Sequence, residues 1–239
     1  MQTSPKELRQ MAGDVDDMHR DAMRTFTDEI GELHFGDEFK AGRRAFLKKA
    51  AVGGAVLTVG SALVPIQSLL PGAGAQELTD VDIAVFAESV ELAAVEAYKA
   101  GAPLLSAEVL PIAELFLGHH QEHAQAFAGI AGDAATGAPN QALIDALTPT
   151  ISGLSDEAGV LAFAKDVENQ AVATYAFALT ALQDPGAAQG TATILPVESA
   201  HAAALSLALG EGPDQWFPNG AFESADIAQG INPADFPVS

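Results

Sequence analysis

Two stretches, VELAAVEAY at 90–98 and VENQAVATY at 167–175, decide the fold. Both read V-E-x-x-A-V-x-x-Y, at an offset of 77 residues. A second pair, HQEHA at 120–124 and ESAHA at 198–202, shares x-x-x-H-A at an offset of 78. Similar segments repeated in one order at one spacing mark a duplicated unit. Apolar residues around each segment recur near the helical period and not the strand period. The unit is therefore a helical hairpin, and two hairpins pack as a four-helix bundle with approximate two-fold symmetry.

Four helices follow from periodicity and end signals. The first spans about 80–100, with Thr79 as N-cap, Asp82 three residues on, and Gly101 and Pro103 at its end. The second spans about 111–131, from Pro111 to Gly132. The third spans about 156–183, opened by Ser155-Asp156-Glu157 and ended near Asp184-Pro185-Gly186. The fourth spans about 192–209 and stops at Gly210. Loops rich in Gly, Ala, Pro and Asn are expected between them. The tail, 211–239, carries Trp216, Phe217, Phe222 and Phe236 and is expected to lie on the bundle as irregular chain.

Charge narrows the function. The chain has a formal net charge of −21 and no cysteine. From Gln76 onward 22 Asp and Glu face only Lys99 and Lys165, a net charge of −20. Such a surface repels phosphate backbones, so nucleic acid is not an expected partner. Thiolate and disulfide chemistry are excluded by composition. No G-x-S-x-G elbow or phosphate-binding loop is present.

Helical wheels at about 100° per residue show where the polar side chains point. Glu91 falls inside the apolar arc of the first helix, while Glu88, Glu96 and Lys99 fall opposite. His119, His120 and His123 fall inside the arc of the second, with Glu122 at its edge. Glu168 falls inside the third, and Glu198 and His201 inside the fourth. Buried carboxylates must be paired, neutralised or bound to metal. No Arg follows residue 44, and both lysines face outward. Two means of neutralisation remain: Glu–His hydrogen bonds, or metal ions suited to carboxylate and imidazole ligands. Tyr98 and Tyr175 lie seven residues after Glu91 and Glu168, on the same faces. They read either as core aromatics or as hydroxyls bonded to those carboxylates. His119 reads either as an ordinary core-edge histidine or as a residue standing behind a metal-binding one. Pro196 marks a helix start or a kink.

The first third reads differently. Residues 43–48, RRAFLK, match R-R-x-F-L-K in full. An apolar Gly/Ala-rich run, 50–64, and the triplet Ala73-Gly74-Ala75 follow. Basic, apolar and small-residue regions in that order are those of an export signal, and this one resembles the twin-arginine type. Its apolar run is too short to span a bilayer, which takes roughly 20 residues. Removal would leave a chain starting near Gln76 with no stable membrane span, in the periplasm, cell wall or exterior. Residues 1–42 mix charges at helical spacing, hold His19 and His34, and read as a charged leader.

Residues 78–210 resemble the ferritin-like superfamily, and more narrowly its exported bacterial ferritin-like domain proteins. The resemblance rests on the E-x-x-H of Glu198 and His201 and on the ordered set across the four helices. It implies an all-α, ferritin-like bundle holding one or two ions of Fe, Mn or Zn. In the di-metal members the first and third helices each give a Glu, and the second and fourth each give E-x-x-H. Carried over, these are Glu91, Glu168, His123, and Glu198 with His201. His120 stands where the family has a Glu, which makes the candidate set three Glu and three His. The function expected is metal binding in the bundle core, serving stress protection or sequestration. The alternative is a di-metal oxidoreductase, a ferroxidase or peroxide consumer, using Glu91, His120, His123, Glu168, Glu198 and His201. A homo-oligomer is compatible with either.

Overall fold

The structure, a computed structural model, describes residues 4–29, 78–212, 215, 230, 231, 233 and 235–238. The segment read as an export signal lies outside the described residues, as do Trp216, Phe217 and Phe222. Helix α1 spans Pro5–Glu29, α2 Asp80–Gly101, α3 Leu110–Ala131, α4 Gln141–Gly153, α5 Glu157–Ala181 and α6 Pro185–Ala208. The described residues contain no strand. None of the described helices is long and apolar enough to cross a membrane.

The bundle is α2 against α3 and α5 against α6, with α2 also facing α5 and α3 facing α6. Its helices begin where local chemistry starts them. Thr79 and Asp82 form a reciprocal capping box on α2, and Asp156 caps α5 through the Gly159 amide at 2.8 Å. Each supplies an acceptor to first-turn amides that the helix leaves unpaired.

The fourth bundle helix starts earlier than the expected residue 192. Asp184 accepts from the Ala187 amide at 2.9 Å and Pro185 occupies the first turn. The Asp-Pro-Gly expected to end one helix thus also opens the next, because proline fits a first turn whose amide has no partner anyway. Pro196 neither starts the helix nor ends it; α6 runs through it. Pro196 and Ala192, whose carbonyl loses its amide partner, are both exposed, so water can take up that carbonyl.

Two elements were not expected. Helix α4 occupies what reads as loop, capped by Asn140, whose side chain accepts from the Leu143 amide at 3.0 Å. Leu143 packs with Phe86, Val90 and Ala93 of α2 and with Ile231 of the tail; Phe236 and Val238 join this cluster. The described part of the tail therefore does lie on the bundle.

The second element is α1. Leu8, Ala12, Val15, His19, Ala22 and Phe26 are all buried, at alternating spacings of three and four. That is the seam of an amphipathic helix, and it lies across α6 and α3. Residues 5–29 of the segment read as a leader thus pack on the bundle.

The close approach of α1 depends on Gly190 of α6. A Cβ there would lie 2.7 Å from the ring of Phe26. That ring cannot easily retreat, being 2% exposed and edge-on to Phe127 at 6.2 Å. Gly190→Val should displace α1 and destabilise the fold by about 1–3 kcal/mol, the usual range for overpacking. Urea unfolding and proteolysis within 5–29 would measure it; an unchanged midpoint with α1 still protected would contradict this packing.

Candidate metal centre

All four bundle helices aim polar groups at one region of the core. Glu91 comes from α2, His120 and His123 from α3, Glu168 from α5, and Glu198 and His201 from α6. Each is at most 2% exposed. The i, i+3 spacing puts His120 with His123, and Glu198 with His201, on one helix face.

The six residues form two overlapping groups that could hold a metal ion. One is Glu91, His120, His123 and Glu198; the other is His120, Glu168, Glu198 and His201. His120 and Glu198 belong to both. His120 lies between the two outer carboxylates, its Nδ1 2.6 Å from Glu91 Oε2 and its Nε2 3.1 Å from Glu168 Oε1. His201 Nδ1 lies 3.0 Å from Glu198 Oε2 and 3.3 Å from Glu168 Oε2.

Charge in this region is balanced by imidazolium. Burial alone would lower the His123 value, but Glu198 and Glu91 outweigh it and raise it to about 9. His120 is raised well above the ordinary value, against burial, by Glu168, Glu198 and Glu91. His201 is raised too, chiefly by Glu168. Burial would raise the Glu91 and Glu168 carboxyls, yet the neighbouring imidazolium charges hold both below the usual carboxylate value, Glu168 strongly so. Neither lysine takes part: Lys99 pairs with Glu96 at 2.7 Å and Lys165 with Glu211 at 2.8 Å.

The pairing is incomplete. His123 Nδ1 and Glu198 Oε1 approach to 2.8 Å, but both are buried and neither makes a directed hydrogen bond. Once His123 gives up its Nδ1 proton, the lone pair it uncovers and the anionic oxygen facing it suit a shared cation. The donor set, three imidazoles and three carboxylates, fits Fe, Mn or Zn. A cavity of about 20 Å³, bordered by Leu143, Leu147, Ile231 and Tyr175, reaches Glu91 and His120. It admits a molecule the size of water.

The tyrosines do more than fill the core. The Tyr98 hydroxyl of α2 donates to Glu168 of α5, and the Tyr175 hydroxyl of α5 donates to Glu91 of α2. Each reaches the carboxylate on the opposite helix, as the internal repeat would place it. Burial and the Glu168 charge raise the Tyr98 phenol well above its ordinary value, so it stays a donor.

Three single residues have surroundings that the sequence left open or misplaced. His119 is 3% exposed, with Nδ1 2.9 Å from His201 Nε2 and Nε2 3.3 Å from Asp16 Oδ1, which places it behind one of the candidate ligands. Glu88 does not face solvent; it is 3% exposed and accepts from the Thr136 and Gly137 amides, each at 2.9 Å. The wheel missed it because the turn after α3 folds back over that face of α2. His19, unassigned in the sequence, is buried, with Nδ1 3.2 Å from His123 Nε2 and Nε2 3.0 Å from Glu122 Oε2. Burial first, then the charge on the neighbouring inner histidine, lowers His19 to about 4 and His119 to about 2, so both are neutral near pH 7.

A model of the ferritin-like domain family matches residues 79–211. No curated protein and no solved structure matches the chain.

The metal-free fold should depend on pH with a definite sign. The folded value of His123 lies above its unfolded value near 6.5. Its pairing therefore stabilises fully below about pH 6.5, and the stabilisation is lost as pH rises through about 9. Thermal unfolding of metal-free protein should show Tm falling between pH 7 and about 10, and His123→Ala should flatten that slope. A Tm independent of pH over this window would contradict the imidazolium account.

Proposed function

The chain belongs to the ferritin-like domain family, and from that premise we propose that it binds one or two transition-metal ions in the bundle core through Glu91, His120, His123, Glu168, Glu198 and His201. The observation that carries this is a buried set of three carboxylates and three imidazoles to which no lysine or arginine among the described residues is paired, and in which His123 Nδ1 and Glu198 Oε1 lack directed partners. A bound metal would supply Lewis-acid charge there, and iron or manganese would add one-electron redox capacity. Glu198 and His120 are common to both donor groups, so either could serve an ion in either group. Tyr98 and Tyr175 hold the outer carboxylates in place by donating to them.

The role this supports best is metal sequestration or protection in an exported protein. Replacing a family Glu by His120 removes a bridging carboxylate, which weakens the oxygen-activating version of the centre. The oxidoreductase reading is favoured by one feature: the cavity at Glu91 and His120 leaves room for a molecule the size of water beside the centre.

Elemental analysis of the folded protein should find one or two ions of Fe, Mn or Zn per chain. The double variant His123→Ala/His201→Ala, checked for helicity, should lose them; retained metal would reject the site. Hydrogen peroxide consumption by the iron- or manganese-loaded protein would favour the enzymatic role. Export rests on the Arg43–Lys48 motif. The change Arg43→Lys/Arg44→Lys should trap the protein in the cytoplasm, and unchanged export in cell fractionation would reject the twin-arginine reading.

A further inference from the structure

Two chains of like composition run side by side from the surface to the centre. In one, Glu122 Oε2 lies 3.0 Å from His19 Nε2, and His19 Nδ1 lies 3.2 Å from His123 Nε2. In the other, Asp16 Oδ1 lies 3.3 Å from His119 Nε2, and His119 Nδ1 lies 2.9 Å from His201 Nε2. The outer rings, His19 and His119, stack with centroids 3.9 Å apart and planes 17° from parallel. Asp16 and His19 belong to α1, outside the span that matches the family model. Helix α1 therefore brings one member to each chain.

We propose that α1 is a working part of the metal centre: Asp16 and His19, with His119 and Glu122, form an outer layer that fixes the tautomer and orientation of His123 and His201. The proposal rests on the metal reading above and adds to it a layer from outside the bundle. The argument is one of hydrogen-bond direction. Each carboxylate can only accept, so the outer ring beside it carries its proton on Nε2. That leaves the outer Nδ1 as an acceptor. The inner ring must then carry its proton on Nε2 and donate outward. Its Nδ1 is left aimed at the core carboxylates, with a lone pair free for a metal. One direction of donation, from core to surface, thus sets all four rings, and the stack of His19 on His119 holds the two chains in register. A metal-bound imidazole is ordinarily fixed by one carboxylate or carbonyl on its far nitrogen; here a second imidazole stands between.

The test uses the full chain loaded with cobalt(II), reading affinity by competition with a chromophoric chelator and ligand geometry by visible absorption. His19→Ala should weaken binding about 10- to 100-fold, the usual effect of losing such a partner, and shift the cobalt bands. His19→Gln should restore most of both, since an amide can accept from His123 and donate to Glu122. Leu8→Ala, which opens a cavity in the same seam away from the imidazoles, should leave the bands unchanged. The proposal is overturned if His19→Ala binds and absorbs like the unsubstituted protein, or if Leu8→Ala has the same effect as His19→Ala. Failure of the unsubstituted protein to bind cobalt, iron, manganese or zinc would overturn the metal reading and this inference together.

Discussion

The structure depends on keeping three carboxylates in a buried core to which the described residues bring neither arginine nor lysine. Removing one partner of a buried ion pair costs about 3–5 kcal/mol, because a bare charge is left behind. In a domain whose stability is typically about 5–15 kcal/mol, such a loss is a large share of the whole. Each bundle helix contributes to the problem, to its answer, or to both. Glu91 and Glu168 bring charge on α2 and α5, His120 and His123 of α3 answer it, and α6 brings one of each. No helix can leave the bundle without stranding a charge on another, so the centre also specifies the arrangement of the helices.

The internal repeat explains why the centre is nearly symmetric, and one residue explains why it is not. Tyr98 to Glu168 and Tyr175 to Glu91 are the same contact made twice. His123 and His201 are likewise counterparts, each touching Glu198 with Nδ1 and an outer imidazole with Nε2. The positions three residues before them differ: Glu198 in α6, His120 in α3. In the metal-free centre the ring of His120, protonated, sits between Glu91 and Glu168 and donates to them from both nitrogens. A glutamate in its place would leave a fourth negative charge and no central cation.

Periodicity was enough to read the bundle and to bring the six core residues onto inward faces. Glu91, Glu168 and Glu198 were legible because a carboxylate on an apolar arc has no other reason to be there. What escaped was decided by distant contacts or by cues with two meanings. Asp184-Pro185 reads as a stop, yet the same pair makes a good start. Helix α4 contains Pro149 and has no counterpart in the repeat, so nothing local marked it. Glu88 is buried by backbone from residues 136 and 137, which no wheel contains. The signal in α1 was present: Leu8, Val15, Ala22 and Phe26 put His19 in an apolar seam. Its position ahead of an export-like segment pointed to a leader, and the contact across 104 residues that gives His19 its meaning lies beyond any local pattern.

The connectivity of α1 has a thermodynamic consequence. Residues 30–79 join it to the bundle, and while that connection is whole, docking is a unimolecular event independent of protein concentration. A cut within it, such as one near Gln76, would turn α1 into a separate peptide held by mass action alone and shed on dilution. Proteolytic maturation and the finishing of the imidazole layer would then be governed by one quantity, the effective concentration of a single helix at its groove.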